Sequence, residues 1–127
     1  MKKNKFLTIT LPLLLWAAVI MVLTSIPGEK MPEIGLWNWD KLAHGMVYLI
    51  LAFLLFRYLF LVRAFTIANA WKWGIVIGVI YAGIDELHQI PIPNRLGTWQ
   101  DFVADSLGVG IGIYAAVRYF GRKIKRA

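Results

Sequence analysis

Four long apolar stretches, separated by short segments rich in proline, glycine and polar residues, organise this chain of 127 residues. The first, Phe6 to Ile26, carries no charge, and as a helix it extends about 31 Å, enough to cross roughly 30 Å of hydrocarbon. The others cover about 40–62, 71–90 and 101–120 and carry charges at or near their ends. Pro27-Gly28 and Pro32 break the chain after the first stretch, and Pro91, Pro93, Asn94 and Gly97 break it after the third. Connections this short favour antiparallel neighbours. The pattern predicts an all-α membrane protein: four transmembrane helices in an antiparallel bundle, forming one domain over residues 1–127.

Charge adds an orientation. Of the 14 Lys and Arg, 11 fall on one predicted side (Lys2, Lys3, Lys5, Arg57, Arg63, Lys72, Arg118, Arg122, Lys123, Lys125, Arg126), and only Lys30, Lys41 and Arg95 on the other. Cytoplasmic segments are enriched in these residues, so both termini are expected inside. Trp37, Trp39 and Trp99 then mark the outer boundary, with Trp71 and Trp73 at the inner one. All seven acids (Glu29, Glu33, Asp40, Asp85, Glu86, Asp101, Asp105) lie toward the outer face. Acid is costly in a bilayer, so this clustering points to a polar site opening outward.

The same topology narrows the alternatives. A net charge of +7 follows from the inside bias, without a nucleic-acid recognition motif, so no nucleic-acid partner is expected. The basic tail from Arg122 to Arg126 suits acidic lipid head groups. The first stretch is longer than a usual signal core and ends in Thr24-Ser25-Ile26-Pro27-Gly28, without a small-x-small cleavage pattern, so it reads as retained. The absence of cysteine excludes disulfides and a thiol nucleophile.

Helical spacing then sorts the outer polar residues. Asp40 and His44 share a face, with Tyr48 a turn deeper and Lys41 beside them. Asp40 alone suits an N-cap; His44, inside the apolar span, needs a partner. Gly78, Ala82, Asp85 and Gln89 share a narrow face flanked by Glu86 and His88, and Gly74, Gly78 and Ala82 form a small-residue stripe. Asp85 is therefore expected to point into the bundle. Asp101, Asp105, Gly108 and Gly112 line one side of the fourth span, where Asp101 suits an N-cap and Asp105 needs a partner. Arg95 is the expected cation for Asp105, together with Lys41 and the histidines. Trp39-Asp40 followed by His44, and Trp99-Gln100-Asp101 followed by Asp105, form a faint echo that fits a duplicated hairpin.

Ser25-x-Pro27-Gly28, Asp40-Lys41-x-x-His44-x-x-x-Tyr48, Asp85-Glu86-x-x-Gln89 with Arg95, and Asp101-x-x-x-Asp105-x-x-Gly108-x-x-x-Gly112 together resemble the VanZ-like family. These are small bacterial membrane proteins named for a member linked to teicoplanin resistance. The match spans nearly the whole chain, departing at Asp105, where many relatives carry Asn. The resemblance implies a multi-pass protein of the bacterial cytoplasmic membrane with a tie to glycopeptide tolerance or envelope biology; it supplies no reaction.

The leading expectation is a site that binds, or in an enzyme modifies, an envelope lipid or lipid-linked cell-wall precursor. His44, Asp85, Glu86 and Asp101 are the candidates to position a proton or water. Asp40, Lys41, Gln89, Arg95 and Asp105 are the candidates to bind substrate. The competing expectations are a non-catalytic binding or assembly module and a small dimeric transporter, although transporter acids usually lie nearer the midplane. No cofactor is expected. Nor is a metal: His44, His88 and the carboxylates are suitable ligands, but no helix carries a His-x-x-x-His pair, and Lys41 and Arg95 would repel a cation.

Overall fold

Apolar helices satisfy their own backbone, so the interest lies in where each one starts, stops and touches the next. The structure, a computed structural model, describes residues 4–30, 37–95 and 97–126, with the side chains of residues 30 and 37–40 outside the description. Glu33, Lys2 and Lys3 therefore lie outside the described residues. A π-helical turn, Phe6–Thr10, runs into α1, Leu11–Thr24. Pro12 stands in the first turn of α1, where its missing N–H disturbs the regular ladder, and the wider turn sits directly upstream. A short 3-10 turn, Gly28–Lys30, follows, and then come α2 (Trp37–Leu61), α3 (Ile67–Gln89) and α4 (Trp99–Lys125). The described residues contain no strand.

Two helices begin earlier than the hydrophobic pattern indicates, because threonines cap them. The Thr66 hydroxyl accepts from the Asn69 N–H at 3.2 Å and starts α3 at Ile67 rather than near residue 71. Thr98 accepts from the Asp101 N–H at 3.3 Å and donates to Asp101 Oδ2 at 2.7 Å, a reciprocal arrangement like a capping box. Asp101 is thus the third residue of α4, not its cap. Asp40 likewise lies inside the first turn of α2, and its side chain is outside the described residues. At the far end α4 continues to Lys125, with Arg122, Lys123 and Lys125 in a last turn whose dipole favours cations.

Three helical segments are long and apolar enough to cross a membrane: Phe6–Thr24, Lys41–Leu61 and Ile67–Gln89. The expected fourth span is a helix of ample length but lower apolarity, since α4 carries Asp101 and Asp105 at one end and Arg118, Arg122 and Lys123 at the other. It is nevertheless central. The most extensive helix contact is between α2 and α4, and glycine makes it: a Cβ at Gly108 would collide with the carbonyl oxygen of Gly45, and one at Gly112 with that of Leu49. Val109 and Ile113 of α4 pack against Gly78 and Gly74 of α3, and Ala116 of α4 with Ala52 and Phe56 of α2 completes the buried core. On α3 the buried stripe is Ala70, Gly74, Gly78, Ala82, Asp85 and Gln89, the face expected from its small residues. Indole and phenol groups tie α1 in: Trp16 Nε1 donates to the Val47 carbonyl at 3.0 Å and Tyr81 to that of Ala17 at 2.7 Å. Leu15, Val22, Ile80, Leu87, Leu107 and Ile111 stay exposed on the outside, as lipid-facing positions do.

Alanine at Gly108 or Gly112 is expected to push α2 and α4 apart and lower the melting temperature of the detergent-purified chain by several degrees. Alanine at Gly110, whose Cβ would meet nothing within 4 Å, is expected to be neutral or stabilising by up to ~1 kcal/mol through helix propensity. Equal losses at all three positions would contradict the seam.

Candidate functional site

The bundle brings the C-terminal ends of α1 and α3 together with the N-terminal ends of α2 and α4, and the polar residues meet there. Asp85, fully buried on α3, accepts from Thr24 Oγ1 of α1 at 2.7 Å and from the Tyr48 hydroxyl of α2 at 2.9 Å. Asp105, fully buried on α4, has Oδ1 at 3.0 Å from Nδ1 of His44 on α2. Lys41 of α2 forms an ion pair with Asp101 of α4. Each of these contacts joins two helices, so the acids are placed by the packing and in turn hold it.

Cations and loops complete the rim. Arg95 donates from Nε to the Ile26 carbonyl at 3.0 Å and from Nη2 to that of Leu23 at 2.9 Å. These carbonyls lie in and just past the last turn of α1, where a cation also meets the negative end of the dipole. The Ser25 hydroxyl and His88 Nε2 are 2.8 Å apart. Gly28 N–H donates to the Pro93 carbonyl at 3.1 Å and Asn94 bonds Glu29, so the α1–α2 and α3–α4 connections touch.

Not every polar atom is satisfied. Glu86 Oε1 and Oε2, Asp105 Oδ2, Gln89 Nε2 and Ser106 Oγ are buried without a hydrogen-bond partner among the described residues. Glu86 is 8% exposed and Gln89 2%. Unmet carboxylate oxygens in an apolar surrounding are costly and call for a ligand, a proton or an ion. Among the described residues, His44, Glu86 and Asp105 are the group able to hold a metal, each offering one ligand atom within 4.8 Å of the others.

Beside the cluster lies a cavity of about 150 Å³ between α1, α2 and α3. Ile20, Leu23, Ala43 and Val47 give it apolar walls; Thr24, His44, Tyr48, Asp85 and Arg95 give it a polar end. A second, larger cleft of about 520 Å³ runs between α3 and α4, bounded by Ile80, Ile84, Leu87, Ile90, Trp99 and Phe102, and it reaches Glu86. The cluster therefore has one side toward each opening.

Sequence reasoning located most of these residues but mispaired some. His44, Lys41, Asp85, Glu86, Gln89, Asp101 and Asp105 do gather at one end. Of the cations expected for Asp105, His44 is the one beside it, whereas Arg95 holds the end of α1 and Lys41 pairs with Asp101. Both N–H groups of Arg95 Nη1 and the second on Nη2 take part in neither carbonyl bond. Asp40's side chain, a candidate for binding, lies outside the described residues. Thr24 was missed: its position at the polar end of an apolar run is the only signal the sequence offers.

The sequence model of a family described as VanZ/LLP1 matches residues 6–120, most of the chain. No curated protein and no solved structure matches it.

Thr24→Val and Tyr48→Phe each remove one donor from the buried Asp85 carboxylate. Each is expected to destabilise by ~1–3 kcal/mol, read as a lower melting temperature in detergent. Unchanged melting in both variants would contradict the role given to Asp85.

Proposed function

The chain belongs to the VanZ/LLP1 family, and from that premise we propose that it is a four-pass protein of the bacterial cytoplasmic membrane whose outer-face site binds an envelope lipid or lipid-linked cell-wall precursor. In this reading both termini are cytoplasmic. The excess of Lys and Arg supports it, since Lys5, Arg63, Lys72, Arg118 and Arg122 lie toward the end opposite the acids. The Lys5 ammonium donates to the Leu61 carbonyl at 2.9 Å, which fixes the start of the first helix beside the end of α2. α4 crosses as well, its Asp101, Asp105, Gly108 and Gly112 turned into the bundle rather than toward lipid, with Leu107, Ile111 and Tyr114 on its outer side.

The observation that carries the proposal is the cavity between α1, α2 and α3. Apolar walls and one polar end match an amphiphile, with hydrocarbon against Ile20, Leu23 and Val47 and a headgroup near His44, Tyr48 and Arg95. At about 150 Å³ it accepts a headgroup and the first carbons of a chain, the remainder lying in the bilayer. Retention of a lipid-linked wall precursor at this site is also the route by which the protein would contribute to teicoplanin tolerance.

A second reading has its own observation. Asp85 bonds Thr24 and Tyr48, and Asp101 pairs with Lys41, so the cluster cross-links helices whether or not it holds a ligand. An assembly module would use the same residues without a guest.

Leu23→Trp, at a half-exposed wall of the cavity, separates the two. It is expected to reduce lipid retained by the purified chain at least tenfold in native mass spectrometry, with little change in melting temperature. Teicoplanin tolerance in an expressing Gram-positive host is expected to fall with it. Unchanged lipid retention in a folded Leu23→Trp variant would leave the assembly reading in its place.

A further inference from the structure

We propose that His44, Glu86 and Asp105 form a binding site for one divalent first-row transition-metal ion. Their ligand atoms come from α2, α3 and α4 and lie within 4.8 Å of one another. Independent of that proximity, both oxygens of Glu86 and Oδ2 of Asp105 are buried with no hydrogen-bond partner among the described residues. Glu86 is 8% exposed and Asp105 fully buried, so solvent does little to offset the two carboxylates. An ion bound between them supplies a partner to an oxygen of each carboxylate.

The geometry is close to what coordination needs. Ligands about 2.1 Å from an ion and at right angles are about 3.0 Å apart; the three ligand atoms lie within 4.8 Å of one another, and an ion taking Nδ1 of His44 displaces the proton now held between it and Asp105 Oδ1. Bringing the widest separation, within 4.8 Å, to that range takes a movement of under about 1 Å by each of two ligand atoms. The two cations that argue against a metal in the sequence are committed elsewhere: Lys41 pairs with Asp101, and Arg95 bonds the end of α1. A ligand set of one imidazole and two carboxylates suits ions such as Zn²⁺ or Mn²⁺ better than soft Cu(I). Three protein ligands leave at least one position open, and the two clefts that reach His44 and Glu86 give the ion and an outside oxygen ligand a way in.

The ion's binding does not depend on the lipid reading. An open coordination position would, however, draw a phosphate headgroup to an end of the bundle that is otherwise acidic, and that extension does rest on it.

The test uses the full chain, freed of any affinity tag, stripped with EDTA in detergent without added phospholipid, and titrated with Zn²⁺. About one ion per chain is expected, with a rise in melting temperature that grows with free Zn²⁺. Glu86→Gln is expected to weaken binding at least tenfold while melting no lower than wild type in EDTA, since it removes a buried carboxylate with neither oxygen partnered among the described residues; Asp105→Asn, whose amide oxygen can still accept from His44, is expected to weaken binding likewise. His88→Ala, outside the trio, is expected to retain the ion. Because a variant can fail to fold, Co²⁺ added to the wild-type chain gives a second readout: visible d–d absorption of a nitrogen- and oxygen-ligated site, abolished by Zn²⁺. Absence of stoichiometric Zn²⁺ and Co²⁺ binding by the folded wild-type chain would overturn the proposal, as would binding that Glu86→Gln and Asp105→Asn leave intact. Neither result would bear on lipid retention.

Discussion

A carboxylate cannot be sunk into an apolar helix bundle unless another group meets it, and this chain sinks several at the same depth. Desolvation of an unmet charge amounts to several kcal/mol, more than most side-chain contacts return. The partners therefore come from neighbouring helices: hydroxyls of α1 and α2 for Asp85, the imidazole of α2 for Asp105, and the ammonium of α2 for Asp101. That requirement decides which helix ends meet. It also makes the exceptions informative, because Glu86 and one oxygen of Asp105 receive no such partner among the described residues.

Close approach of α2 and α4 lets the pairing occur. The two helices run in the same direction with a nearly constant register. Lys41 faces Asp101, His44 faces Asp105, Gly45 abuts Gly108 and Leu49 abuts Gly112. His44 is the residue before Gly45, and Asp105 lies one turn before Gly108. The glycine contact thus sets both the separation and the phase that bring imidazole to carboxylate. Packing and chemistry here are consequences of one seam, and a wider helix spacing would lose both.

Much of this was legible in the residues. Small side chains recurring every four positions marked the packing faces of α3 and α4, and the acids continuing those stripes marked what points inward. The echo between the starts of α2 and α4 has a structural counterpart, since the echoed positions His44 and Asp105 face each other. Helix starts were less legible, because Thr66 and Thr98 are unremarkable in a hydrophobicity pattern yet cap the backbone and lengthen both helices. Pairings between helices were legible only in part: the histidines stood among the expected partners of Asp105, and His44 meets it. Spacing fixes a face within one helix but not its height or rotation against another, and so Arg95 was assigned to an acid when it binds the carbonyls of α1. The three ligand-type residues His44, Glu86 and Asp105 were each singled out, but their meeting across three helices has no signature in any one of them.

The central claim is that the acidic end of the bundle faces the outside of the membrane. Because the chain contains no cysteine, single cysteines can be introduced and labelled in intact cells with a membrane-impermeant maleimide. Glu29→Cys, at an exposed position of the acidic end, is predicted to label without permeabilisation. Lys123→Cys, exposed in the last turn of α4, is predicted to label only after permeabilisation. The reverse pattern would contradict the account.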